Sequence, residues 1–244
     1  MLYNQKKCFC NFLIMSFCAW TVLFICPVHL IDAADEKVIQ GKVTILDKHG
    51  HSKKDNSGVV VFLDELDQLP VPVTQKKRVV MQQINKKFIP EVLPIRMGTT
   101  VDFPNDDMVF HNVFSFSKAK NFDLGLYKQG ESRSVTFDKP GLVKIYCNIH
   151  PQMLGYILVL NNPYFTVTDN NGRFTLPRPQ AGQAKVRTWH SKSKKYPEQE
   201  IQITSEGVKD LNFEITEDLR FQIKEESISI KHKNKWGQDY PSKY

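Results

Sequence analysis

Short apolar, β-branched runs broken by turn residues constrain this chain more than any other feature. Val59-Val60-Val61-Phe62-Leu63 is the first; Val101-Asp102-Phe103, Ser134-Val135-Thr136-Phe137, Leu142 to Cys147 and Tyr156 to Leu160 follow. Each is bounded by Gly, Pro, Asn or Asp, as strands joined by tight turns require. No segment reads as an amphipathic helix, and only Lys76 to Lys87 is ambiguous. Thirteen prolines and twelve glycines supply corners for a sandwich or barrel. The expectation is an all-β fold. An apolar content of 41% with 24% charged residues is that of a globular protein. It excludes a wholly disordered chain, a collagen-like repeat and a polytopic membrane protein.

Asn161-Asn162-Pro163 reads as a boundary, beyond which a second β pattern begins with Phe165-Thr166-Val167-Thr168. Asp169-Asn170-Asn171-Gly172 is a hairpin turn signal, since Asn and Gly tolerate positive φ. Arg173 to Leu176, Lys185 to Trp189, Ile201 to Thr204 and Leu211 to Ile215 complete the set. A unit of about 55 residues is small for independent stability, so it is expected to pack on what precedes it. The tail from Glu217 is charged and poor in aliphatics. The expected organisation is 1–34, 35–161, 162–216 and 217–244.

Residues 1–34 read as an export segment: Lys6 and Lys7, then an apolar stretch from Phe12 to Ile25, then Ala33-Ala34 before Asp35. Either the segment is cleaved after Ala33 or Ala34, or it stays as an uncleaved anchor, which about 20 apolar residues allow. Both readings put the folded part outside the cytoplasm, in the periplasm or its equivalent, the second with membrane association. The +7 formal charge is interspersed with acids, and no basic-aromatic motif points to nucleic acid.

Four of the five cysteines, Cys8, Cys10, Cys18 and Cys26, fall in the export segment, which leaves Cys147 alone. In an oxidising compartment a lone thiol is buried, paired between chains or holding a metal. It lies in Cys147-Asn148-Ile149-His150-Pro151-Gln152-Met153, a Cys-x2-His-x2-Met pattern, and Asn105 to Val113 upstream carries His111. Thiolate, two imidazoles and a thioether are the donors of a mononuclear blue-copper site, with soft sulfur favouring Cu(I) and a weak axial Met tuning the potential. Val143, Ile145 and Cys147 share strand parity, so Cys147 is expected to point inward, with His150 and Met153 on the turn that follows. Zinc fits less well, because structural zinc rarely uses Met. His49 and His51 flank Gly50 in a polar turn and read as solvated, His190 as structural, and His232 belongs to the tail.

The segments Val101 to Asp106, His111-Asn112-Val113 and Pro140 to Met153 resemble cupredoxins of the plastocyanin/azurin group, with a ligand loop most similar to that of amicyanin. The resemblance covers roughly residues 37–161 and implies a Greek-key β-sandwich, although Lys53 to Lys87 departs from a minimal amicyanin. Residues 164–216 resemble transthyretin-like or carboxypeptidase-regulatory β-sandwich modules. The family implies His111, Cys147 and His150 as equatorial ligands of one type 1 copper, with Met153 axial. It also implies an Asn112 N–H donated to the Cys147 sulfur, an Asn112 side chain bracing the ligand loop, and an electron port at His150 rimmed by Pro151 and Leu154.

The function expected is one-electron transfer between redox proteins by an exported copper protein that is not itself an enzyme, since four ligands leave no open position for substrate. Copper carriage or storage is one alternative. An envelope or adhesion protein with a structural copper site is another.

Overall fold

The computed structural model describes residues 38–67 and 77–218. Residues 1–34, expected to be a cleaved export segment or an anchor, and the tail beyond 218 lie outside the described residues. Among the described residues every regular element is a strand. The chain opens with β1 (Ile39–Leu46) and β2 (Val60–Asp64), followed by β3 (Arg78–Val80), β4 (Gln82–Ile84) and β5 (Lys87–Ile89). Then come β6 (Val92–Arg96), β7 (Thr100–Pro104), β8 (His111–Ser117), β9 (Lys120–Tyr127) and β10 (Ser132–Thr136). β11 (Gly141–Tyr146), β12 (Leu154–Leu160), β13 (Phe165–Val167) and β14 (Arg173–Leu176) precede β15 (Gly182–Trp189), β16 (Glu198–Ile203) and β17 (Val208–Thr216).

Two sandwiches result. In the first, a five-stranded sheet in the order β6-β12-β11-β8-β9 packs on a three-stranded sheet, β10-β7-β3. Between them lies an apolar core that includes Val101, Phe103 and Val135 from one sheet and Val113, Val143, Ile145, Ile157 and Val159 from the other. In the second, β14-β1-β17 packs on β13-β2-β15-β16 around Val43, Ile45, Val61, Leu63, Phe174, Val186 and Phe213.

The sequence reading grouped residues 35–161, but the sheets are wired differently. β1 pairs in parallel with β17 and antiparallel with β14, and β2 lies between β13 and β15. Residues 39–64 thus belong to the same sheets as residues 165–216, and the first sandwich occupies the chain between β2 and β13. With these two strands the second sandwich has seven and needs no borrowed core. Local pattern could not reveal this, because partners of β1 and β2 are more than 100 residues away, against the tendency of sequential strands to be neighbours.

The wiring explains the apolar runs. Val59, Val61 and Leu63 point into the second core, whereas Val60 and Phe62 point the other way. On β12, Ile157 and Val159 face the first core and Tyr156, Leu158 and Leu160 face outward. The outward residues of β2 and β12 meet, with Val92 and Trp189, in a third apolar cluster that joins the sandwiches. A strand buried on both faces reads as a continuous hydrophobic run, without alternation. From residue 77 on, the ambiguous stretch resolves into β3, β4, a turn in which Asn85 and Lys86 both take φ of 53°, and the start of β5. That is the left-handed pair of a two-residue hairpin.

Candidate metal centre

Cys147 follows β11 directly and is 4% exposed, in the first core with Val143 and Ile145, as strand parity requires. Register brings in the other donors. β8 is paired with β11 at Phe114–Tyr146, so His111 starts β8 at the same end of the sheet as Cys147. The turn to β12 carries His150 and is closed by the Met153 N–H donating to the His150 carbonyl, 2.9 Å. Met153 is 1% exposed and shares the first core with Cys147.

Three donor atoms converge. His111 Nδ1 lies 3.0 Å from His150 Nδ1, and Cys147 Sγ lies 3.9 Å from the first and 3.7 Å from the second. A point equidistant from the three is roughly 2.1 Å from each, which falls in the range of about 2.0 to 2.3 Å that zinc shows to imidazole nitrogen and thiolate sulfur. The pocket therefore fits a first-row transition ion without rearrangement.

The surroundings favour the ligating forms. The Nε2–H of His111 donates to Asp107 Oδ2 at 2.7 Å, which leaves Nδ1 with a free lone pair facing Cys147 and His150. Burial works to raise the Asp107 carboxyl, but N–H groups from Lys86, His111 and Asn85 together hold it below the usual carboxylate range. Burial lowers His150, aided by the neighbouring His111, so its imidazole is neutral at pH 7. Burial pushes the Cys147 thiol up, opposed by backbone N–H groups of Asn112, Ile149 and His150 directed at the sulfur. Those three donors match a thiolate, whose cost of burial a cation offsets.

Against this geometry, three partial likenesses to solved structures are recorded. Copper-containing nitrite reductase from Thermus scotoductus SA-01 is 33% identical over 37% of this chain, which spans 25% of that protein, with a TM-score of 0.33. A purple cupredoxin from Nitrosopumilus maritimus is 28% identical over 35% of this chain and 100% of its own length, TM-score 0.31. An oxidised amicyanin variant is 24% identical over 34% of this chain and 81% of its own, TM-score 0.32. Each likeness covers part of the chain only. No family model matches the chain, nor does any curated protein.

The Asn112 N–H meets the Cys147 sulfur as the family resemblance implies, but its side chain does not brace the ligand loop. Its Nδ2 donates to Asp123 Oδ1 on β9 at 2.7 Å, and its Oδ1 has no partner. Pro151 is exposed at the turn, and Leu154 is half-buried against the third apolar cluster. Exposed apolar residues that the sequence reading passed over adjoin the cluster in sequence: Met108, Val109 and Phe110, 90%, 39% and 55% exposed, directly before His111, and Ile149 beside His150. Three consecutive apolar residues in a polar loop were the signal. Asp107 was also missed. Its carboxylate accepts N–H groups from Asn85 (2.6 Å) and Lys86 (2.8 Å), holding the β4–β5 turn beside His111. Nothing in sequence distinguishes it from Asp106. His49, His51 and His190 lie in the second sandwich, apart from this cluster.

Proposed function

We propose that the chain is an exported type 1 copper protein that carries single electrons between redox proteins and has no catalytic activity of its own. The observation that carries this reading is the triangle of His111 Nδ1, His150 Nδ1 and Cys147 Sγ in a nearly dry pocket, with Met153 buried beside it. Thiolate, two imidazoles and a thioether suit copper better than zinc. Bound copper would supply a Cu(II)/Cu(I) couple.

The chain's own residues do the rest. Asp107 and the backbone N–H groups around Cys147 fix the donors before an ion arrives, so little need move when charge changes. His150 is half-buried at the surface of its turn, and Met108, Val109, Phe110, Ile149 and Pro151, next to the two histidines in sequence, offer exposed apolar surface. Such a patch desolvates readily against a partner with an apolar contact face. The only cysteine beyond the export segment is one of the donors, which accords with an oxidising compartment.

The test is an optical and EPR spectrum of protein loaded with Cu(II), followed by voltammetry. An intense visible thiolate-to-copper band, narrow copper hyperfine splitting and a reversible one-electron wave are expected. A colourless protein, or one that prefers zinc, would sink the proposal. A blue protein that surrenders Cu(I) to a weak chelator would instead be a carrier or store.

A further inference from the structure

The second sandwich carries a cluster of metal-binding side chains that electron transfer at Cys147 does not use. Between β1 and Ser52 the chain makes a tight turn, Asp47-Lys48-His49-Gly50-His51. Its backbone is held at four points. Asp47 Oδ1 accepts the N–H groups of His49 (2.7 Å) and His51 (2.9 Å), the Asp47 N–H donates to the His51 carbonyl (2.8 Å), and the Gly50 N–H donates to the Asp47 carbonyl (3.0 Å). Gly50 takes φ of +85°, which a side chain would resist, and lets the chain reverse between the two histidines.

An Asp at the head of this turn is explained by the backbone it caps. The histidines are not. Both are exposed, the His51 side chain at 81%, so neither fills a core. Yet the ring centroids are only 6.3 Å apart, and His51 Nδ1 is 3.4 Å from Asp47 Oδ2, the carboxylate oxygen not used by the turn. Backbone N–H groups from His51 and His49 hold that carboxylate ionised. Two imidazoles and a carboxylate thus project from a rigid five-residue frame, needing only side-chain rotation to close on an ion. Ordering a flexible segment, the usual entropic cost of a surface site, is largely avoided.

We propose that this turn is a second metal site, which takes an aqueous divalent transition ion, Cu(II) foremost, through His49, His51 and Asp47 Oδ2. Imidazole suits copper, nickel and zinc, and affinity for a given donor set peaks at Cu(II). With three protein donors and open solvent the remaining positions go to water, so the site is exchangeable and only weakly coloured, without the intense band of a thiolate centre. It resides in the second sandwich, on the loop after β1, and does not rest on the reading of Cys147.

Titration of the full chain with Cu(II), followed by calorimetry and EPR, tests it. The native protein is expected to bind one equivalent with wide copper hyperfine splitting and nitrogen superhyperfine structure, in addition to any bound at Cys147. His49→Ala and His51→Ala should each weaken that equivalent at least tenfold, and the double variant should lose it. Asp47→Asn, which keeps an oxygen for the turn, should weaken it less. All these exposed substitutions leave circular dichroism unchanged. A native protein without this equivalent, or a double variant that still binds it, overturns the proposal.

Discussion

The two sandwiches bury apolar cores of similar character and both staple backbone with buried polar side chains, but among the described residues the first also gathers such groups into a metal-binding cluster. In the second, Asn56 Oδ1 accepts the Ile45 N–H, Thr168 Oγ1 accepts the Val59 N–H and donates to the Asn56 carbonyl, and Asn162 donates to the Leu63 carbonyl. Each staples backbone that strand pairing leaves open, which is why burying it is tolerable. In the first, His111, His150 and Cys147 turn their donor atoms toward one another, with the two Nδ1 atoms 3.0 Å apart, and Met153 shares the core with Cys147. One core is closed on itself; the other gathers His111, Cys147 and His150 into a cluster able to hold a metal ion.

The largest effects should separate these roles. Phe213, 5% exposed against Phe174, lies in the closed core. Phe213→Ala should cost about 3–5 kcal/mol in denaturant unfolding while the folded fraction keeps its copper band. Cys147→Ala should do the reverse, costing roughly 1 kcal/mol as an ordinary core truncation and removing the band entirely. A blue Cys147→Ala protein would mean that the thiolate assignment is wrong.

The next effect tests the buried polar group in the second sandwich that no staple explains. His190 is 5% exposed, its Nδ1 has no hydrogen-bond partner, and burial pulls its pKa from 6.5 down to about 4. Glu217 opposes that shift and Lys192 and Lys53 reinforce it. The unfolded chain therefore takes up a proton that the folded chain refuses. The contribution of neutral His190 is complete above pH 6.5 and is lost as pH falls toward 4, on the order of 3 kcal/mol from the width of that window. Unfolding free energies measured from pH 7.5 to 4 should fall more steeply for the native protein than for His190→Phe. Parallel curves would show that His190 is solvated.

The same contrast shows what could be read from sequence. The strand pattern and the grouping of His111, Cys147 and His150 were legible because period-two alternation and ligand spacing are local properties. Neither β1 nor β2 could be assigned to its sandwich, since Val59 to Leu63 looks alike whichever two cores flank it. β8 and β9 were passed over too: His111 to Phe116 mixes His, Asn and Ser with apolar residues because the strand carries site residues. Asp107 was hidden for a related reason. Its role depends on the β4–β5 turn arriving beside His111, which involves residues 20 and more positions upstream.

Asp107 gives an effect of intermediate size. Asp107→Asn keeps the side chain's shape and an oxygen near the Asn85 and Lys86 N–H groups but removes the charge. Copper affinity should fall about tenfold or more, as for other groups that orient a ligating imidazole, and the reduction potential should move. Asp107→Glu should not restore either, because one added methylene displaces three hydrogen bonds. Retained affinity with a shifted melting temperature would reduce Asp107 to a turn anchor.

The finest test lies between adjacent residues. Met153 points into the first core beside Cys147, and Leu154 packs into the seam between the sandwiches. Strand geometry puts them on opposite faces one position apart. Met153→Ala should alter the colour and the potential of the copper protein, because it removes a weak sulfur donor and leaves the three strong ones. Leu154→Ala should leave the spectrum as it is and cost no more than about 1–2 kcal/mol, less than full core burial, since the side chain is only partly buried. If Leu154→Ala shifted the absorption band as far as Met153→Ala does, the seam would be controlling the site. The second sandwich would then act on the copper centre through β12, and the independence of the two cores would fail at that strand.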